Sequence, residues 1–393
     1  MAPGQARLDP PRGRLDPPRE GTDEAASGPN PDADVTSTGG IRCMMMRGGT
    51  SKGLYFLAAD LPPQPEQRDA LLLRIMGSGH PLQIDGLGGA HSLAAKVAVV
   101  SPSQRADADI DYLFLQLGVD QATVTDQQNC GNILAGVGPF AVERGLIEPG
   151  AGVTTTRIRM VNSDSVVTAT FATPGGVPDY AGDTAIAGVP GTAAPISLRF
   201  ADTAGSATGK LLPTGSSCDI IDGVEVSCVD NGMPVVVARA ADLGITGYES
   251  HAELAADAVL LDRVQALRLA AGELMGLGDV SQASVPKTTL VSAPRDGGTI
   301  CTRTFIPVRP HTAIGVLGAV SAVTVLLLPG AAGAELADWP GPGQPLDVEH
   351  PTGHLLVEAE LDTSRQPPLV RTAGVVRTAR KLFDGTVFPS SQT

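Results

Sequence analysis

Between Gln127 and Gly145 the chain reads QQNCGNILAGVGPFAVERG, with Cys130 between Asn129 and Gly131 at the head of an apolar run of helical character. The first turn of a helix carries unpaired N–H groups and a partial positive charge. Such a start is a natural carboxylate site, and it favours the thiolate of a cysteine placed there. A small apolar cap on a core helix is the bland alternative, but Asn-Cys-Gly-Asn is too polar for a core plug. Gly131 lets backbone approach a ligand closely, and Asn132 offers an amide. A second run, RPHTAIGVLGAVSAVTVLLLPG from Arg309, has the same shape, with His311 and Thr312 near its head. His311 reads equally well as a hydrogen-bonding residue with no chemical role.

Two lysines sit in apolar, strand-like runs: Lys96 in SLAAKVAVVSPS and Lys287 in SVPKTTLVSAP. Each is either a snorkelling edge residue or a buried amine of lowered pKa. MRGGTSKG supplies Arg47, Thr50 and Ser51 as anion-binding equipment without the spacing of a P-loop. A thiol and an amine beside two helix starts suit removal of a C–H proton next to a carbonyl or carboxylate and its return elsewhere. Backbone amides would stabilise the enolate-like intermediate.

The elements that must position these groups occur twice. RGGTSKGLYFLAADLPP from Arg47 matches VDNGMPVVVARAADLGI from Val229 in shape: a glycine turn, an apolar strand, then Ala-Asp-Leu. Each is followed by a helical pattern, from Gln67 and from Leu261, then by a lysine-bearing strand and a buried apolar helix. Cys130 and His311 are 181 residues apart and the Ala-Asp-Leu segments 182 apart, which points to a duplication and pairs His311 with Cys130. The expected fold is α+β: two pseudo-symmetric halves, 41–220 and 221–393, the last strand free to return to the first half. Thr154 to Asp202 reads as short antiparallel strands. Residues 1–40, rich in Pro, Asp and Gly with a tandem RLDPPR, read as a disordered tail.

Bulk properties narrow the partners. A formal net charge of −14 argues against nucleic acid, which needs a basic surface. The apolar stretch Ala313 to Leu328 falls short of the roughly 20 residues that cross a bilayer, so no membrane role is expected. Five cysteines without a CxxC pair, and no secretory leader pattern, suggest reduced thiols in the cytoplasm. No dinucleotide fingerprint and no metal-ligand spacing occur, so neither cofactor nor metal is expected. His80, His91, His251, His350 and His354 are scattered and read as structural or solvated, and Cys218 and Cys228 as strand positions.

The segments MRGGTSKG, IDGLGGAHSLAAKVAVV, DQQNCGNILAGVGPFAVERGLI, GKLLPTG, VDNGMPVV, HPTG and RTARKLFDG, in that order from Ile41 to Phe388, resemble the PrpF family of isomerases. The resemblance implies a diaminopimelate epimerase-like fold: two halves, each a barrel-like mixed sheet around a central helix, with the active site in the cleft. It implies a cofactor- and metal-free proton shift in an unsaturated di- or tricarboxylate, first of all 4-oxalomesaconate in aromatic-acid breakdown, alternatively 2-methylaconitate. A non-catalytic tricarboxylate binder is the rival of another class. The family's motif lysine falls on Lys96 and its NCGN cysteine on Cys130, implying an acid/base pair whose direction stays open. The epimerase's second cysteine falls on His311. Carboxylates would be held by Arg47, Thr50, Ser51, Gly131, Asn132, Lys287, His311 and Thr312. A homodimer is compatible with this picture.

Overall fold

Alternation along the first strands decides which side of the sheet each residue serves. Strands β1 (Ile41–Gly48) and β2 (Ser51–Leu57) pair antiparallel across a turn at Gly49, whose φ of 51° suits glycine. Met44, Met46 and Tyr55 face a helix within the barrel, while Cys43, Leu54 and Phe56 pack on the other side with Leu71, Leu72, Ile75 and Met76 of α1 (Pro65–Met76). Proline in its first turn and left-handed Gly77 at its end bound this helix. A crossover of this kind makes the next strand, β3 (Lys96–Pro102), parallel to β2, with Lys96 opposite Gly53.

The computed structural model describes residues 39–341 and 343–391. Apart from Gly39 and Gly40, the expected tail lies outside the described residues. From Gly39 onward the chain forms one compact unit. After β3 come β4 (Ile110–Leu117), the helices α2 (Gly131–Leu134) and α3 (Val137–Glu143), and strands β5 (Gly152–Met160), β6 (Ser165–Thr173) and β7 (Pro195–Phe200). β5, β6 and β7 pair antiparallel, as the Thr154–Asp202 pattern predicts.

The second half runs β8 (Asp219–Ile221), β9 (Val224–Asp230), β10 (Pro234–Arg239), α4 (His251–Ala256), α5 (Ala258–Leu274), β11 (Lys287–Ser292), β12 (Ile300–Phe305), α6 (Val316–Leu326), β13 (Leu346–His350) and β14 (Gly353–Asp362). Its plan repeats the first: β10 and β11 are parallel, with Val235 opposite Lys287 as Gly53 is opposite Lys96. β8 straddles 220/221 and pairs with β9.

The last strand, β15 (Leu369–Val387), is 19 residues long and belongs to both halves. It returns to the first half, pairing with β7 and β1 and closing an eight-stranded barrel of β1–β7 with itself. Its other end pairs with β14 and continues the sheet through β13, β12, β11, β10 and β9 to β8.

Each sheet wraps one helical segment. In the first, the Tyr55 and Phe140 rings lie 5.7 Å apart and the Tyr55 hydroxyl donates to the Ile133 carbonyl at 2.5 Å. A Cβ on Gly136 would sit 2.5 Å from that hydroxyl, so the break between α2 and α3 needs glycine. In the second, α6 buries nearly every side, and its polar Ser321 and Thr324 accept from the Asn231 backbone N–H and side-chain amide at 3.1 and 2.8 Å. Satisfying those polar groups is the condition for burying them. Among the described residues no helix is long and apolar enough to cross a membrane.

Candidate active site

The starts of the two central helices meet at one cavity of about 490 Å³. The first half contributes Asn129–Asn132 and Thr50, and the second Ala313–Val316. The turn between β13 and β14 adds His350, Thr352 and His354, β15 adds Arg377, and the loop at Ile186–Gly188 completes the wall.

Cys130 caps α2 in extended conformation (φ −130°, ψ 97°), with 9% of its surface exposed. Its carbonyl accepts from the Leu134 N–H at 3.0 Å and from the Tyr112 hydroxyl at 3.3 Å, which fixes the residue from below. A Cβ on Gly131 would have no heavy atom within 4 Å, so glycine here keeps open the space beside the thiol. The Asn132 amide donates to Thr50 Oγ1 at 3.0 Å, and any side chain on Gly49 would collide with Asn132. The β1–β2 turn is thereby docked onto the helix start.

The second helix start departs from the expected repeat. Helix α6 begins at Val316 with Gly315 as its cap, so Gly315 and not His311 holds the place that Cys130 has in the first half. The cause is local: Phe305 bridges to Pro310 and the Ile306 N–H bonds the Arg309 carbonyl, so a loop intervenes before the helix. His311 is tied into that loop, its N–H donating to Thr304 O at 2.7 Å and its Nδ1 accepting from the Ala313 N–H at 2.9 Å. Thr312 is exposed and offers its carbonyl to the Thr352 hydroxyl at 2.8 Å. Neither residue lines the cavity.

Three side chains that the sequence reading passed over do line it. Arg377 donates only to the Val376 carbonyl, at 3.2 Å, and has no carboxylate partner among the described residues. Burial pushes its pKa down to about 10, so it remains a cation at neutral pH. An unpaired cation removed from water is costly unless an anion joins it. Burial, with His354, His311 and Arg377 nearby, pushes His350 down to about 4 and leaves it neutral. His354 goes the other way: burial opposes its charge, but Asp296 at 3.1 Å and Asp347 at 2.9 Å raise its pKa. Reading His350 and His354 as scattered is therefore corrected; the histidines flanking Pro-Thr-Gly are brought together by a hairpin turn. The buried Glu349 carboxylate accepts the Arg295, Asp296 and Gly298 N–H groups and so holds the loop that carries Asp296. His251 bonds the Pro310 carbonyl, and His80 and His91 are exposed.

The two strand lysines differ. Lys96 is 8% exposed, donates to Gln116 Oε1 at 2.6 Å and lies 5.1 Å from the Phe114 ring centroid. It does not line the cavity, although alternation puts it on the strand face of Ala98 and Val100, which share a core cluster with Cys130 and Ile133. Gln116, unmarked in the sequence, is itself held by the Ala95 carbonyl at 2.9 Å. Lys287 lines an adjoining cavity of about 510 Å³ that shares Asn129, Gly131, Gly315 and Val316 with the first. Its Nζ would lie 3.6 Å from a Cβ on Gly315, and burial lowers its pKa. Arg47 and Ser51 line a third cavity of about 700 Å³, which meets the first at Thr50 and Gly188. All five cysteines are unpaired; burial pushes Cys43 up to about 11 and Cys228 up to about 12.

Comparison with known proteins extends over the same elements. Residues 39–389 match the family described as PrpF protein. A (4E)-oxalomesaconate Δ-isomerase of Novosphingobium sp. strain KA1 is 58% identical over 347 residues, covering 88% of this chain and 96% of that one. A 4-oxalomesaconate tautomerase of Pseudomonas putida KT2440 is 54% identical over 348 residues, covering 88% and 95%. The crystal structure of a methylitaconate Δ-isomerase is similar with a TM-score of 0.80 and 32% identity, over 89% of this chain and 95% of that one. Similarity of that extent, running through both halves and the strand they share, makes the chain a member of the PrpF family of isomerases.

Proposed function

We propose that the protein moves a proton within an unsaturated tricarboxylate, with 4-oxalomesaconate as substrate. The observation that carries this reading is the meeting of two helix starts, a cysteine and an unpaired arginine in one cavity. Helix N–H groups and Arg377 provide carboxylate recognition, and Asn132 with Thr50 adds neutral donors. The names of the two relatives above 50% identity support the choice of substrate.

In the proposed reaction a base removes a proton from the carbon next to the keto or carboxylate group. The C–H electron pair moves into a new C=C bond, and charge gathers on the carbonyl oxygen, where backbone N–H groups stabilise it. An acid then delivers a proton at a different atom, so the product is an isomer and no electrons are lost. Cys130 and Lys96 are the acid/base pair. Motif resemblance and the shared inward face support Lys96. For the amine a second reading is favoured by position: Lys287 stands beside Gly315 with its pKa lowered by burial. Unpaired cysteines support a cytoplasmic setting.

The test is to incubate the protein with 4-oxalomesaconate in D₂O and follow the proton NMR spectrum. Isomerisation with deuterium incorporation, well above a protein-free control, is expected. Turnover of 2-methylaconitate alone would replace the substrate, and silence with both would leave a tricarboxylate-binding protein.

A further inference from the structure

One face of β4 touches both members of the proposed acid/base pair. Side chains two residues apart share a strand face, so Tyr112, Phe114 and Gln116 form one row. The Tyr112 hydroxyl donates to the Cys130 carbonyl at 3.3 Å, and Gln116 Oε1 accepts from Lys96 Nζ at 2.6 Å. Phe114 stands between them in the row, its ring centroid 5.1 Å from the same Nζ. Lys96 and Gln116 are also directly opposed across the β3–β4 ladder, so backbone register brings the two side chains together.

The Gln116 amide is held in one orientation. Its Nε2 donates to the Ala95 carbonyl at 2.9 Å and to the Ser92 and Leu117 carbonyls at 3.2 Å. A flipped amide would set Oε1 against these acceptors, so the oxygen is kept towards the lysine. β4 is fixed in turn where its own pairing runs out. Its backbone pairs with β5 as far as Tyr112. Beyond that point the Asn162 side chain stands in for a strand, donating to the Phe114 carbonyl and accepting the Phe114 N–H, each at 2.9 Å. The same amide donates to the Asp126 carbonyl at 2.8 Å, which ties β4 to the loop that leads into Cys130.

We infer that Gln116 is a positioning residue that sets where the Lys96 amine stands relative to Cys130, with β4 as their common support. This role rests on the proposed Lys96–Cys130 pair and adds what keeps the two groups in register. A lysine amine rides on a flexible four-carbon stem, and a reacting group misplaced by about 1 Å loses on the order of 10²-fold in rate. Gln116 takes one of the three N–H donors of an ammonium, which leaves two for a substrate.

The test is steady-state kinetics with 4-oxalomesaconate on the unaltered full-length chain, Gln116→Met, Gln116→Glu, Lys96→Met and the double variant Lys96→Met/Gln116→Met. Gln116→Met keeps the side chain's length and removes the acceptor; kcat should fall about ten- to a hundredfold with KM little changed. Gln116→Glu keeps an acceptor and sets a carboxylate beside the amine. It should retain more activity than Gln116→Met, and the limb of the pH–rate profile that belongs to the amine should move to higher pH. A side chain that only supports the fold would not move that limb. Once Lys96 is gone, Gln116→Met should have no further effect, so the double variant should match Lys96→Met. The role of Gln116 is overturned if a folded Gln116→Met keeps its kcat, or if the two losses multiply in the double variant. Should Gln116→Met fail to fold, an unmoved pH limb in Gln116→Glu overturns it. A silent unaltered chain, or normal turnover by Lys96→Met, removes the proposed pair and this role together; a loss at Lys96 alone removes only this role.

Discussion

In the first half a cysteine caps the central helix; in the second, the residue in that position is Gly315. The same pair of halves differs in closure. The first sheet returns on itself through β15, whereas the second ends at β8. It differs also in the helix, which is broken at Gly136 under the Tyr55 hydroxyl in one half and runs unbroken from Val316 to Leu326 in the other. Even the strand lysines diverge, Lys96 being hydrogen-bonded to Gln116 while Lys287 faces the shared helix starts. A duplicated plan has thus kept its backbone pairing and let its side chains specialise. The first half supplies a thiol held in a rigid setting, and the second supplies room and unpaired backbone donors.

That division can be broken most decisively at Cys130. Cys130→Ala should lower kcat by about 10²–10⁴-fold, the contribution of a positioned acid or base, while the thermal unfolding midpoint moves little. Near-normal turnover in a folded variant would remove the chemical distinction between the halves. The lysines sharpen the comparison next. Lys96→Met is expected to fall in kcat by about 10²-fold or more, and Lys287→Met to act mainly through KM. The reverse pattern would move the amine to the second half.

Arg377 belongs to the strand that both halves share, so its loss should affect binding before chemistry. Arg377→Gln should raise KM about ten- to a hundredfold, the scale of a lost charge-assisted hydrogen bond, with a smaller change in kcat. An unchanged KM would release the carboxylates to other donors.

The smallest effect concerns pH. His350 has its folded pKa depressed to about 4, so below its unfolded value of 6.5 the unfolded chain binds the proton more readily. Its burial therefore costs stability progressively as pH falls from about 6.5 towards 4. His354, with a raised pKa, works in the opposite sense. Melting temperatures of His350→Gln should accordingly decline less over that window than those of the unaltered chain, and a parallel decline would dismiss His350 as the cause.

By itself the sequence determined the repeat, its strand–helix–strand units, the buried central helices and the candidate chemistry of Asn-Cys-Gly-Asn. Local patterns suffice there, because apolar periodicity and small residues at a helix start act over a few positions. Beyond that reach lay the gathering of His350, His354 and Arg377 against Cys130, more than 200 residues away, because only closure of the first barrel by β15 brings them there. The place of His311 was also a tertiary matter: the bridge from Phe305 to Pro310 delays α6, and equal spacing along the chain could not register that loop. Strand pairing between distant segments, which no local pattern encodes, decided which charges share a cavity and which are left for a ligand to answer.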